Sequence, residues 1–270
     1  MKPPATGLPD HEARRLLQLA TGLDAAGTGL LDQLDPAQQT RFVELVQRRQ
    51  AGEPLQYIEG TVQFGPVEVK VDRRALIPRP ETEVLWERAV EALGQAGEDS
   101  VIVDVGTGSG ALALALKHAF PAARVYGTDI DPAAADLARE NVAGRGVTIL
   151  VGDLYDALPF GMRGQIDLLV ANPPYVGDSE ELPAEVQDHE PSTALYAGPA
   201  GDEVLMRLAE QAFYWVKPGG WVFVEIGESQ AERALELFAD FKCQILNDLA
   251  GRPRILEGHR GDTSCIEGSR

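Results

Sequence analysis

The sequence predicts an α/β protein in which a mostly parallel sheet is covered by helices on both faces. From residue 101 onward, short apolar runs alternate with longer amphipathic segments, a pattern typical of parallel strands joined by helices. Before residue 61 the apolar residues recur mainly at helical spacing. A small helical domain is therefore expected ahead of the sheet, with a β-hairpin linking the two.

The segment ahead of the sheet is expected to comprise a helical domain, residues 1–60, and a hairpin linker, residues 61–76. Asp35-Pro36 is a typical helix start, because Asp caps the first turn and Pro is favoured at the first helical position. Gly27-Thr28-Gly29 is expected to break the preceding helix. Alternating apolar residues on either side of Gly65-Pro66 predict the hairpin.

The remaining residues divide into the sheet-containing domain, 77–260, and a flexible tail, 261–270, which lacks apolar periodicity. The predicted strands are 101–105, 123–128, 147–151, 165–171, 221–226, 241–247 and 254–257, and the predicted helices among them are 111–120, 132–143, 202–216 and 229–240.

The chain is acidic, with 24 Lys and Arg against 42 Asp and Glu and a net charge of −18. Because proteins that hold nucleic acid tightly present basic surfaces, no stable nucleic-acid binding is expected. No apolar run approaches the roughly 20 residues of a membrane span, and the first residues lack the apolar core of a signal peptide. With Cys243 and Cys265 expected to be reduced, the sequence predicts a cytoplasmic protein without membrane contact.

A glycine-rich turn, residues 104–110, follows the first strand of the sheet and opens a helix. Its glycines allow a ligand to approach bare backbone. The Gly-x-Gly-x-Gly spacing differs from the dinucleotide fingerprint, and no Gly-Lys-Ser or Gly-Lys-Thr ending completes a phosphate-binding loop. Asp104 precedes the glycines; it would repel a pyrophosphate and suits a ligand with a positively charged amino-acid group.

Two more carboxylates stand at the ends of the next two strands. Asp129 can accept hydrogen bonds from two ribose hydroxyls; Asp153 can accept one from an adenine amino group while Leu154 packs on the ring. With the glycine turn, they indicate a ligand that combines adenosine and an amino acid, S-adenosylmethionine. The candidate cofactor-binding residues are Asp104, Gly106, Thr107, Gly108, Ser109, Gly110, Asp129, Asp153, Leu154 and Asn172, and no metal site is expected.

The tetrapeptide Asn172-Pro173-Pro174-Tyr175 follows an apolar run, so it is expected where a strand ends. Two consecutive prolines fix φ and lack N–H donors, which makes a stiff corner. The Asn172 side-chain oxygen and the Pro173 carbonyl can then accept both hydrogens of one –NH2 group, with Tyr175 beside it. Phe64, in the predicted hairpin, is a candidate second wall. By itself the motif leaves adenine, guanine and glutamine open as substrates.

These segments resemble the class I S-adenosylmethionine-dependent methyltransferases that modify –NH2 groups. Residues 77–83, His189-Glu190-Pro191 and Gly251-Arg252-Pro253-Arg254 narrow the resemblance to the protein-(glutamine-N5) methyltransferases of the PrmC/HemK family. That family methylates the glutamine of the Gly-Gly-Gln motif in peptide chain release factors. The resemblance covers about residues 10–258 and implies a Rossmann-like catalytic domain.

The resemblance also implies roles for individual residues. Asn172, Pro173 and Tyr175 are expected to be catalytic, and the substrate glutamine is expected to contact these three together with Pro174 and Phe64. The helices of residues 1–60 would dock the release factor. S-adenosylmethionine would be the cofactor and S-adenosylhomocysteine its product.

Other functions stay open at the level of the sequence. A sister group of glutamine methyltransferases acts on a ribosomal protein. A nucleic-acid methyltransferase that flips a base out of the duplex shares the Asn-Pro-Pro-Tyr motif, although the acidic charge weighs against it. A non-catalytic cofactor-binding protein would not need the intact motif, and the glycine spacing conflicts with a nicotinamide-linked dehydrogenase.

Overall fold

The computed structural model describes residues 6–30 and 32–262. Within them the chain divides into two compact units. The first unit takes the residues up to Thr61 together with Leu182–His189, and the second takes Val62–Glu181 and the chain from Glu190 onward. Of the predicted tail, 261–270, residues 263–270 lie outside the described residues, as does Cys265.

Helices and strands appear in nearly the predicted order. The helices are α1 (Asp10–Thr21), α2 (Ala25–Leu30), α3 (Pro36–Gln50), α4 (Leu55–Glu59), α5 (Pro80–Leu93), α6 (Ala111–Ala119), α7 (Pro132–Val142), α8 (Ala184–Gln187), α9 (Glu203–Trp215) and α10 (Ala231–Leu237). The strands are β1 (Thr61–Phe64), β2 (Val67–Lys70), β3 (Val101–Val105), β4 (Arg124–Asp129), β5 (Val147–Val151), β6 (Ile166–Ala171), β7 (Val216–Glu225), β8 (Lys242–Asn247) and β9 (Pro253–His259).

The first unit is helical and has its own apolar core. Leu16 and Leu17 of α1 are buried against Phe42 and Leu45 of α3. The start of α3 matches the sequence prediction, because the Asp35 side chain accepts from the backbone N–H of the third helical residue in a capping box. An apolar stripe on each helix therefore suffices to pair α1 with α3.

The prediction for Gly27-Thr28-Gly29 is wrong, since these residues lie inside α2. The break comes earlier, at Gly22, which takes the left-handed conformation that ends α1. The Asp24 carboxylate then accepts from the backbone N–H of Gly27 at 2.7 Å and caps α2. The cap, together with burial of Thr28, offsets the low helix propensity of the glycines.

The second unit contains a seven-stranded sheet in the order β5-β4-β3-β6-β7-β9-β8. The five strands from β5 to β7 are parallel, and β9 runs antiparallel to both neighbours. Val101, Val103 and Val105 of β3 pack in the core that includes α9. Successive side chains alternate between sheet faces, and α5, α6 and α7 cover the other face. The predicted α/β fold class is confirmed.

The predicted hairpin is present as the two-stranded sheet of β1 and β2. Two elements differ most from their predicted bounds. Strand β7 already begins at Val216, with a register irregularity against β6, and the segment expected as a helix over 229–240 is a 3₁₀ turn, Glu228–Gln230, followed by α10. Within residues 6–30 and 32–262, no helix combines the length and the apolar composition needed to cross a membrane.

The strand order reverses between β3 and β6. The chain proceeds outward from β3 through β4 to β5 and then returns to place β6 on the other side of β3. In open parallel sheets such a reversal opens a crevice at the carboxyl ends of the strands. Val105, the last residue of β3, is paired with Ala171, the last residue of β6. The glycine turn and Asn172 therefore leave the sheet side by side.

Candidate active site

A cavity of about 340 Å³ lies at this crevice, entirely within the second unit. Its walls come from the carboxyl ends of β3, β4, β5 and β6, the hairpin, the start of α5 and α9. The predicted site residues that line it are Phe64, Asp104, Gly106, Thr107, Gly108, Ser109, Asp129, Asp153, Leu154, Asn172, Pro173 and Pro174. Among the described residues, Gly110 and Tyr175 are the two predicted site residues outside this lining.

The glycine turn is held against the end of β4. The backbone N–H groups of Gly106 and Thr107 donate to the Thr128 carbonyl at 2.8 and 2.9 Å. The backbone N–H of Gly108 donates to the Asp129 carboxylate at 2.8 Å. The turn is thus fixed by the neighbouring strand, and its open side faces the cavity.

Gly110 has a packing role that the sequence did not reveal. It precedes the first residue of α6 with φ at +79°, and a Cβ added there would lie 3.2 Å from the Cβ of Ala138 in α7. An L-residue would therefore be strained and would push α6 away from α7. The prediction of Gly110 as a cofactor residue rested on its place in the turn, and the structure puts it against a helix instead of at the cavity wall.

Asp104 is a buried carboxyl group at the cavity wall. Its Oδ2 accepts from the Thr107 hydroxyl at 2.6 Å and from the Ala113 backbone N–H at 3.2 Å. Burial raises its pKa to about 7, against the lowering effect of these two hydrogen bonds. A positively charged ligand group beside Asp104 would stabilise the ionised form, so this position suits a cation.

Asp129 combines a structural and an acceptor role. Its Oδ1 accepts from the Asp131 backbone N–H at 2.9 Å while Oδ2 holds Gly108. Burial raises its pKa, and the backbone hydrogen bonds oppose the rise. Each carboxylate oxygen can accept a further hydrogen bond. The next residue, Ile130, is 58% exposed and lines the cavity, so it adds an apolar surface that the sequence analysis missed.

The turn after β5 is strained. Leu154 has φ at +47° and is the one non-glycine residue with positive φ in the described part of the chain. The Thr128 hydroxyl donates to its carbonyl at 3.1 Å. A Cβ on Gly152 would lie 2.9 Å from the Cβ of Ala157, so the turn closes too tightly for a larger residue there. This closure directs Asp153 and Leu154 at the cavity.

Arg207 is a site residue that the sequence analysis missed. It comes from α9, lines the cavity and forms an ion pair with Asp153. No motif surrounds Arg207 in the sequence, and only the packing of α9 beside the β5 turn brings the two side chains together. The Asp153 carboxylate predicted to accept from adenine therefore already shares one oxygen with a guanidinium group.

Asn172 is hydrogen-bonded to Thr82 and, through Thr82, is linked to Glu225. Its Nδ2 donates to the hydroxyl of Thr82, in the first turn of α5, at 3.0 Å. That hydroxyl donates to Oε2 of Glu225, at the end of β7, at 2.6 Å. Thr82 and Glu225 are both buried. Thr82 belongs to the segment 77–83 that carries the family resemblance, whereas no motif surrounds Glu225. Because the two residues are 143 positions apart, the sequence held no local signal of their contact.

Tyr175 is half-buried on the side of β7 and β9. The guanidinium of Arg254 lies 5.7 Å from its ring centroid, within the range of a cation–π contact. Burial raises the pKa of its phenol, and the nearby Glu225 adds to the rise. A Cβ on Gly227 would lie 3.6 Å from the ring. The ring thus packs against the ends of these strands, apart from the cavity lining.

The donor set of the cavity fits a cationic nucleoside. The cavity lining contains two arginines and four carboxylates, so its charge is negative overall. The guanidinium of Arg74 is already paired with Asp72 and Glu140. Leu112, Ile130 and Leu154 supply apolar walls. This arrangement fits S-adenosylmethionine, which joins a positive sulfur and an amino group to adenosine, and it would repel phosphates. Across residues 6–30 and 32–262, no group of three or more His, Cys, Asp or Glu side chains could hold a metal ion.

Comparisons with known families support the same two-part organisation. A model of the PrmC N-terminal domain matches residues 5–60, and a model of the methyltransferase small domain matches residues 82–188. For the fold alone, a T. thermophilus 16S rRNA N2 methyltransferase, solved in complex with AdoMet and guanosine, superposes with a TM-score of 0.53. It is 19% identical over 74% of this chain and 49% of that chain.

Two curated relatives match nearly the whole chain. The release factor glutamine methyltransferase of Mycolicibacterium smegmatis is 40% identical over 93% of this chain and 91% of its own length. That of Moorella thermoacetica is 42% identical over 86% of this chain and 83% of its own length. Together with the methyltransferase fold and the cavity at its switch point, these similarities show that the chain belongs to the release factor glutamine methyltransferase family.

Proposed function

We propose that this protein transfers a methyl group from S-adenosylmethionine to the side-chain amide nitrogen, N5, of the glutamine in the Gly-Gly-Gln motif of peptide chain release factors. The observation that carries the proposal is the position of Asn172, which leaves β6 beside the glycine turn and lines the same cavity. An acceptor for an –NH2 group thus adjoins a pocket suited to a cationic nucleoside. The names of the two relatives support the choice of substrate.

The residues that would hold the cofactor divide by chemistry. Asp104 would face its positively charged amino-acid group, and Asp129 the ribose hydroxyls. Asp153, Leu154 and Ile130 would surround the adenine. When bound, S-adenosylmethionine supplies a methyl group activated by its positive sulfur.

The protein must orient the glutamine amide, whose nitrogen lone pair is delocalised into the carbonyl. Pro173 and Pro174 have no backbone N–H groups, so neither can donate a hydrogen bond to a nearby carbonyl group. The carbonyl oxygens of this corner therefore remain available to the substrate. The Asn172 Oδ1 and the Pro173 carbonyl would accept the two amide hydrogens, direct the lone pair away from them and stabilise the positive charge that develops on nitrogen. Placement of this kind lowers barriers by as much as roughly 7–11 kcal/mol.

Residues 1–60 would dock the release factor, as the match to the PrmC N-terminal domain suggests. In the first unit, Arg48 is paired with Glu53, and Arg49 with Glu12 and Glu185. Their charges are therefore largely neutralised within the protein, which agrees with a protein partner and not with stable nucleic-acid binding. Release factors act in translation, so we place the activity in the cytoplasm.

Transfer of labelled methyl groups tests the proposal. The protein and labelled S-adenosylmethionine are incubated separately with a release factor, with the same factor carrying asparagine in place of the motif's glutamine, with ribosomal proteins and with duplex DNA. We expect label only in the intact release factor, on the peptide that contains the motif. Label in ribosomal protein or DNA and none in the release factor would contradict the proposal.

A further inference from the structure

Three side chains form a continuous hydrogen-bonded relay behind the –NH2 acceptor. Ala171 of β6 is paired with Val224 of β7, so the next residues, Asn172 and Glu225, stand together at the carboxyl edge of the sheet. Thr82 bridges them, accepting from Asn172 Nδ2 at 3.0 Å and donating to Glu225 Oε2 at 2.6 Å. Thr82 is 6% exposed and Glu225 is 1% exposed, so the bond between them is shielded from water. The bond from Asn172 to Thr82 is partly buried.

The relay has a direction set by chemistry. When Glu225 is ionised, its carboxylate only accepts hydrogen bonds, so the Thr82 hydroxyl must donate its single hydrogen to Glu225. The Thr82 oxygen is then left as an acceptor, and the part of the Asn172 amide that faces it must be the NH2 group. The carbonyl oxygen of that amide consequently points away from Thr82. A flipped amide would set two acceptors against each other.

The Thr82 hydroxyl is not needed to start its helix. Helix α5 begins with Pro80, whose missing N–H is no loss in a first turn. No side chain caps this helix at Arg79, and the Thr82 backbone N–H donates to the Arg79 carbonyl. The hydroxyl instead spans two strands of the sheet, to residues 90 and 143 positions away in the chain.

We propose that Thr82 and Glu225 are positioning residues that hold the Asn172 amide with Oδ1 presented to the substrate –NH2 group. The inference rests on the proposed function for its catalytic consequence, and on the relay geometry alone for the orientation of the amide. A buried acid is costly unless its bonds are satisfied. Holding this amide in one orientation gives Glu225 a specific use.

Burial and the groups around Glu225 together set its pKa. Burial raises its pKa to about 7, whereas the bond from Thr82 lowers it. The remaining charged or titratable groups that face it are Arg254 and Arg79, which lower its pKa, Glu81, which raises it, and Tyr175.

Exchange of the hydroxyl alone tests the relay. Thr82→Val keeps the shape and removes the hydroxyl; Thr82→Ser keeps the hydroxyl and removes the methyl group. We expect Thr82→Val to lower kcat for the release factor by roughly 10- to 100-fold, by analogy with loss of the hydrogen bonds that orient the ligands of metal sites, with KM for S-adenosylmethionine within about threefold. Thr82→Ser should retain kcat within about threefold. Thr148→Val, at an exposed site of β5, is the matched control.

Equal losses of kcat in the Val and Ser variants, or no loss in the Val variant, would overturn the inference. Glu225→Gln provides an independent variant should Thr82→Val not fold. Its amide can donate to Thr82 and frees the hydroxyl to turn toward Asn172, so kcat should again fall while KM holds. Unchanged kcat in Glu225→Gln would equally overturn it.

A second readout does not depend on methyl transfer. In protein labelled with ¹⁵N-asparagine, the side-chain NH2 signals of Asn172, identified by their absence in Asn172→Ala, should shift in Thr82→Val and remain in place in Thr82→Ser. If the wild type fails to methylate release factors but the signals respond in this way, the proposed function fails and the positioning stands. If the Asn172 side-chain signals do not shift in Thr82→Val, the proposal that Thr82 positions the Asn172 amide is refuted.

Discussion

The buried carboxyl group of Asp104 should make the protein less stable than its neutral counterpart. Its pKa is raised from the ordinary 3.8 to about 7, chiefly by burial. Asp104→Asn keeps the shape and an oxygen that can accept from Thr107 and Ala113, and it removes the charge. We therefore expect the variant to have a higher free energy of unfolding than the wild type at pH 8.

The magnitude follows from the shift in pKa. A raised carboxyl pKa means that the folded protein binds its proton more tightly than the unfolded chain. The contribution of Asp104 to wild-type stability should therefore fall as the pH rises from about 4 through 7, and level off above 7. A difference of about three pKa units corresponds to about 4 kcal/mol. The advantage of Asp104→Asn should be on the order of 2–4 kcal/mol at pH 8 and should largely vanish near pH 4.

Urea unfolding at pH 4, 6 and 8 measures this effect, with Asp136→Asn as the control. Asp136 is exposed and pairs with Arg139 on the surface of α7, so its change should stay within about 0.5 kcal/mol. Calorimetric titration with S-adenosylmethionine should show the opposite trend, an affinity loss of roughly 10-fold or more in Asp104→Asn. A variant that is less stable than wild type at pH 8, or that binds the cofactor equally well, would refute this account of Asp104.

Three further outcomes are expected. Asn172→Ala should lower kcat for release factor methylation by roughly 100-fold or more while calorimetric affinity for S-adenosylmethionine stays within a few-fold; lost affinity would make Asn172 chiefly a cofactor residue. Gly110→Ala should cost roughly 1–3 kcal/mol in urea unfolding, because φ is +79° and the new Cβ would crowd Ala138; unchanged stability would contradict that packing. At saturating substrates, kcat should rise with pH through about 7 as Glu225 ionises, and a profile identical in Glu225→Gln would exclude Glu225 as the source.

Features that depend on neighbours in the chain could be predicted from the sequence. Asp129 and Asn172 each follow an apolar run, and strand ends in a parallel sheet share one edge. Their meeting around one cavity therefore required only the right periodicity. The Asp35-Pro36 helix start was equally local. The Gly27-Thr28-Gly29 prediction was wrong because average propensities ignore the particular cap that Asp24 supplies.

Features that depend on distant neighbours could not be predicted in this way. Asp153 and Arg207 are 54 positions apart, and Thr82 and Glu225 are 143 apart. Their contacts exist because α9 and α5 pack at particular places on the sheet. Gly110 and Tyr175 belong to the recognised motifs, yet neither lines the cavity. Gly110 packs against Ala138, and the Tyr175 ring lies beside Arg254.

The sequence by itself determined the fold class, the edge of the sheet that carries the site and the chemical types placed there, because hydrophobic periodicity and proline stereochemistry act over a few residues. Only the tertiary structure decided which atoms of those groups face the ligand. The direction of the Asn172 amide depends on an acceptor-only carboxylate brought beside it by the β6–β7 pairing. Hydrogen-bond polarity is a property of that assembled contact, and no single segment of the chain contains it.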